Sequence, residues 1–122
     1  MFSEAEVKEV ASELVSAYSG EFVEHEEMIA IKLSRFEKEV HIEWPKHDLA
    51  EVWMTFRKDG EDIFHDWFEC MGPEDKAEFV AYLSSIPAMF FNHEVRIKRY
   101  GLIFRRHVLE IKEGAVWRNI FE

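Results

Sequence analysis

The chain is poor in the residues that cross-link or interrupt a fold. Its 122 residues include one cysteine, three prolines and five glycines. A lone thiol makes no internal disulfide, which excludes a stapled secreted scaffold and fits a reducing cytoplasm. The stretch Phe68-Glu69-Cys70-Met71 offers no cation to stabilise a thiolate, so Cys70 reads as a small buried apolar residue at a strand end. No run of about 18 apolar residues occurs, so no membrane span is expected. The opening Met1-Phe2-Ser3-Glu4-Ala5-Glu6 has neither a basic nor an apolar segment and reads as no secretion signal.

Positive charge is also scarce. Fifteen Lys and Arg stand against 25 Asp and Glu, for a net −10. Like-charge repulsion argues against nucleic acid and anionic lipid as partners. Nucleotide fingerprints are missing, both G-x-G-x-x-G and G-x-x-x-x-G-K-[ST], and so is the G-x-S-x-G elbow. His25-Glu26-Glu27-Met28-Ile29 opens like H-E-x-x-H but ends in isoleucine. His41-Ile42-Glu43 has the H-x-E half of a zinc deaminase without the P-C-x-x-C half. No cofactor is expected.

What the chain has is apolar surface and aromatic rings. Hydrophobic residues make up 48% and aromatics 15%. That composition describes one globular domain over 1–122, long enough to bury a core. Ser3 to Ser19 reads as an amphipathic helix. Ser3 and Glu6 form a capping box, Val7, Val10, Ala11, Leu14 and Tyr18 make one stripe, and Gly20 ends it. From Glu21 to Cys70 the period becomes two. Ile29, Ile31 and Leu33, then Val40, Ile42 and Trp44, then Val52, Met54 and Phe56 form the inward faces of antiparallel strands. Asp59-Gly60 marks a hairpin. A second helix is predicted near 73–86, opened by Pro73 and closed by Pro87. Strands over 93–100 and 102–112, joined at Gly101, form a C-terminal β-hairpin, and 115–122 is either helix or strand. The fold class is α+β, with a mostly antiparallel sheet of about five to seven strands.

Two helices cover one face of such a sheet and leave the other open. A two- or four-residue loop at Asp59-Gly60 pairs Arg57 with Asp62, Thr55 with Phe64 and Trp53 with Asp66. A three-residue loop ending in Gly60 shifts the pairing by one and inverts the second strand. The first register is preferred because it places Asp62 and Asp66 outside and pairs Arg57 with Asp62. The open face then carries Glu39, His41, Glu43, Glu51, Trp53, Phe64 and Asp66, while Ile63, His65 and Trp67 turn toward the core. This is a carboxylate field with aromatics set in it. Residues 1–86 carry −13 and residues 87–122 carry +3. In the basic C-terminal part Arg96, Lys98 and Arg105 mark a small anion pocket, or else neutralise neighbouring carboxylates.

An acidic face with aromatic anchors suits a basic protein partner, because opposite charge speeds encounter and buried rings slow release. The leading expectation is a non-enzymatic cytoplasmic binding protein, monomer or homodimer, of the immunity or inhibitor type, like the small acidic bacterial proteins that neutralise a toxin or nuclease. Three alternatives stand beside it. One is an acidic effector chaperone acting as a homodimer. Another is a metal- or small-molecule-binding domain; its order is similar to the frataxin-like arrangement of acidic helix, antiparallel sheet and helix, here followed by two further strands and a tail. The last is an enzyme using His41 and Glu43, which share a strand face.

Overall fold

A computed structural model describes residues 2–103 and 105–122. The element order is α1 (Glu4–Ala17), β1 (Ser19–Glu24), β2 (Met28–Arg35), β3 (Lys38–Pro45), β4 (Glu51–Lys58), β5 (Glu61–Glu69), a 3-10 turn (Pro73–Asp75), α2 (Lys76–Asn92), β6 (Val95–Tyr100), β7 (Arg106–Glu113) and β8 (Val116–Asn119). The fold is α+β, with an antiparallel sheet ordered β1-β2-β3-β4-β5 and a second one ordered β6-β7-β8. The chain divides into two compact units, Met1–Ala81 and Tyr82–Glu122, and the division falls within α2.

In the first unit α1 packs on β1 and β2. Its start follows the sequence closely. The Ser3 hydroxyl accepts from the Glu6 amide, and the Glu6 carboxylate accepts from the Ser3 amide, each at 3.1 Å. The helix end differs from expectation. Tyr18 caps α1 in an extended conformation, and Gly20 lies inside β1. Gly20 is required for a different reason: a Cβ there would stand 2.9 Å from Val15 Cα, so its absence lets strand and helix backbones approach. The alternation in β2, β3 and β4 is as the sequence predicts. Ile29, Ile31, Leu33, Val40, Ile42, Trp44, Val52, Met54 and Phe56 are all buried on one face.

Asp59 and Gly60 make the β4–β5 turn with φ of 53° and 81°, pairing Lys58 with Glu61 and Arg57 with Asp62. There the expected register ends. Phe56 pairs with Phe64, so Ile63 is an extra residue, a bulge on the edge strand β5. Past it the alternation inverts. Phe64, Asp66 and Phe68 pair with the inward residues Phe56, Met54 and Val52, while His65 and Trp67 pair with the outward residues Thr55 and Trp53. Phe64 and Asp66 therefore leave the open face, and His65 and Trp67 join it. Covering part of two phenyl rings opposite Phe56 and Val52 outweighs the partial burial of one carboxylate. That burial pushes the Asp66 carboxyl above its usual range, opposed by the Trp67 amide it accepts from at 2.7 Å.

In the second unit α2 runs to Asn92, with Pro87 inside it. A proline there forfeits one backbone bond, at about 3 kcal/mol. The helix continues because Leu83, Ile86, Phe90 and Phe91 keep the apolar stripe going on both sides, and all are buried. The expected C-terminal hairpin is present as β6 and β7, with β7 starting at Arg106 rather than near 102. The tail resolves as a strand, β8, which pairs with β7 through Glu110–Asn119 to Glu113–Val116.

Candidate functional site

The open face of the five-stranded sheet follows from the strand period. With every second side chain of β2, β3 and β4 buried inward, the intervening ones point the other way. These are Ala30, Lys32 and Ser34, then Glu39, His41 and Glu43, then Glu51, Trp53, Thr55 and Arg57. None of them is buried. The bulge adds His65, Trp67 and Glu69 from β5.

Toward the β5 edge of this face lies an indole pair. Trp53 and Trp67 are cross-strand neighbours, their rings 6.2 Å apart and tilted by 48°. They remain 47% and 44% exposed. Both indole N–H groups donate to the same oxygen, Glu51 Oε1, at 2.9 and 2.7 Å. One carboxylate thus fixes two large rings side by side while leaving much of each in water. Glu43 flanks Trp53 from β3. The His65 ring nitrogen Nδ1 meets the Thr55 hydroxyl at 3.2 Å.

Toward β3 and β2 the face becomes an ionic mesh. The His41 Nε2–H donates to Glu39 at 2.9 Å, and Lys32 and Arg57 approach the same carboxylate at 3.6 and 3.9 Å. The Glu39 carboxyl is held below its usual range, first by the His41 hydrogen bond and then by the surrounding cations. Arg57 also donates to Asp62 and to the Gly60 carbonyl, at 2.8 and 2.6 Å, which locks the hairpin turn. A shallow depression of about 300 Å³ lies alongside, lined by Glu21, Val23, His25, Lys32, His41 and Glu43 among others.

The structure brings together Glu39, His41, Glu43, Glu51 and Trp53 from the expected set. Phe64 and Asp66 lie on the opposite face. Trp67 is the functional candidate missed by sequence reasoning. The signal for it was present in the apolar alternation of Phe64 and Phe68, but an unbulged ladder from Arg57–Asp62 hides it. His41 and Glu43 do share a face, yet the imidazole bonds Glu39. Among the described residues no three His, Cys, Asp or Glu are grouped so as to hold a metal ion. No helix among them is long and apolar enough to cross a membrane.

The basic residues of the second unit do not converge. Arg96 and Lys98 share one face of β6, but Arg105 precedes β7 in the connecting loop. Arg96 is already engaged: its Nε donates to Glu110 at 2.8 Å and its guanidinium lies over the Trp117 ring at 4.2 Å. Glu110 is 5% exposed and takes a second bond from the Tyr100 hydroxyl at 2.7 Å. The Tyr100 bond, then Arg96, hold the Glu110 carboxyl below its usual range, and the same carboxylate raises the Tyr100 hydroxyl. Tyr100, Glu110 and Trp117 border a depression of about 490 Å³ together with Arg106 and Arg118.

The open sheet face thus presents two adjacent half-exposed rings held by one carboxylate, with further carboxylates on the neighbouring strands. No protein-family model, no curated protein and no solved structure matches the chain.

Proposed function

We propose that this chain is a non-enzymatic binding protein whose open sheet face takes up a basic protein partner. The observation that carries this reading is the Trp53–Trp67 pair, fixed by Glu51 and half-exposed on a face rich in carboxylates. Large rings already held in place lose little side-chain entropy when covered, and indoles are the most frequent energetic anchors of protein interfaces. The Glu43 and Glu69 carboxylates have no hydrogen bond or ion pair among the described residues and are available to cations of a partner. The first unit's charge of −13 adds long-range attraction for a basic surface. In the cell such a molecule would act in the cytoplasm as an immunity- or inhibitor-type protein, occluding the cationic working surface of a toxin or nuclease.

The test starts from proteins retained on the immobilised chain, each identified, purified and titrated. The expected partner is basic, and its association rate falls steeply as salt rises. Trp53→Ala and, separately, Glu43→Lys each weaken binding at least tenfold, or about 1.4 kcal/mol. An affinity unchanged in both variants, or a partner of acidic character, would remove the proposal.

A further inference from the structure

Two described residues of the β6–β7 connection, Leu102 and Ile103, expose apolar side chains to an unusual degree. Leu102 is 96% and Ile103 86% exposed. Nearby, the Arg105 and Arg106 guanidinium groups make no hydrogen bond or ion pair among the described residues, Lys98 acts on the Glu110 carboxylate only at longer range, and the Arg99 side chain donates to the His107 ring at 3.3 Å. In a chain with 25 carboxylates, cations left without one are notable. Gly101, with φ of 89°, turns the chain into this tip. The second unit as a whole is +3 and the first −13.

The opposite chemistry stands on the open face of the five-stranded sheet. Trp53 and Trp67 are exposed there, and the Glu21, Glu43 and Glu69 carboxylates make no hydrogen bond or ion pair among the described residues. Apolar tip matches ring surface, and unpaired cations match unpaired carboxylates. We propose that the β6–β7 tip of one copy docks on the indole face of a second copy, so that the protein associates with itself head to tail. This rests on the reading of that face as a docking surface and names a second copy of the chain as one occupant, which a basic partner must displace. Such a contact uses different surfaces on the two copies, so it either closes into a ring or extends. Its charge pairs are exposed, so salt weakens it.

Sedimentation velocity on the purified full chain tests this directly. The weight-average mass is expected to at least double with rising concentration at about 0.05 M salt, and to return to monomer near about 1 M, where screening acts within ~3 Å. Two variants give the decisive comparison: Leu102→Ser with Ile103→Ser removes the tip, and Trp53→Ala with Trp67→Ala removes the face. Each alone should be monomeric, and their equimolar mixture should form a dimer, since one supplies an intact face and the other an intact tip. Should the indole-free variant lose its fold, Glu43→Lys, which changes one unpaired carboxylate, replaces it. A wild type that stays monomeric at low salt overturns the inference. So does a mixture that stays monomeric, or a tip whose loss abolishes only binding to phosphatidylserine vesicles. The proposed function fails separately: the tip variant should keep full affinity for the basic partner, and only the face variants should lose it.

Discussion

Glu110→Gln isolates the charge of a buried carboxylate without changing its size. Glu110 accepts from Arg96 Nε at 2.8 Å and from the Tyr100 hydroxyl at 2.7 Å, and its side chain is 6% exposed. A glutamine satisfies the same partners. Its carbonyl accepts from Arg96, and its amide donates to a Tyr100 hydroxyl turned the other way. What disappears is the charge assistance, and Arg96 is left without a counter-ion while still stacked on Trp117. A bond to a charged group contributes about 1.5–3 kcal/mol against about 1 kcal/mol for a neutral one. The neutral amide recovers part of the loss through easier desolvation, and Arg96, partly exposed, recovers part through water. The net destabilisation expected at neutral pH is about 2 kcal/mol, or roughly 8 °C of melting temperature at about 2.1 cal/mol/K per residue. The pH dependence gives the sharper check. The Glu110 carboxyl is held below its ordinary value near 4.5, so the folded chain binds fewer protons than the unfolded one in that range. Its stabilising contribution is therefore complete above the unfolded value and fades as pH falls through the lower folded one. Urea melts of both proteins across that range should converge on acidification. A deficit that is constant with pH, or below about 0.5 kcal/mol at neutrality, would refute the assigned role of the charge.

Asp66 has the opposite sign. Its carboxyl is pushed up by burial, so the folded chain holds a proton that the unfolded chain has released, and stability is lost as pH rises from the unfolded value through the folded one. Asp66→Asn should raise the melting temperature at neutral pH and have a smaller effect in acid; calorimetry at two pH values decides it. Ser3→Ala removes the acceptor for the Glu6 amide and should cost about 1 kcal/mol in chemical denaturation, with Ser3→Gly costing less.

Much of the fold was legible because it is written in local chemistry. The capping box needs only Ser3 and Glu6, three residues apart. The Asp59-Gly60 turn needs two residues that tolerate positive φ. The inward faces of β2, β3 and β4 need only alternation. The parts that were hidden depend on contacts distant in sequence. Pro87 reads locally as a stop, but the burial of Phe90 and Phe91 beyond it decides the matter. β8 is four residues long, too short for its period to show. It exists because β7 offers it a partner, and because its own Arg118 bonds Glu113 and the Glu122 carbonyl.

The candidate site was half legible for one reason, and that reason is Ile63. From Arg57–Asp62 onward two alternating sets compete for the inward face. One is Ile63, His65 and Trp67, the other Phe64, Asp66 and Phe68. Each contains aromatic and polar members, so neither hydropathy nor period separates them. The separation comes from β4. Its inward residues Val52, Met54 and Phe56 are fully buried, and Phe56 meets Phe64 with ring centroids 6.3 Å apart. Phenyl rings without polar atoms can be enclosed completely, whereas an indole needs a partner for its N–H and an imidazole for both nitrogens. Placing the phenyl set inward leaves Asp66 as the single polar misfit. Placing the other set inward would enclose His65 and the indole N–H of Trp67. β5 has a neighbour on one side only, so a bulge there costs little pairing. The paired indoles on the open face are thus a consequence of what the buried face accepts, with Glu51 positioned to receive both N–H groups once Trp67 turns outward.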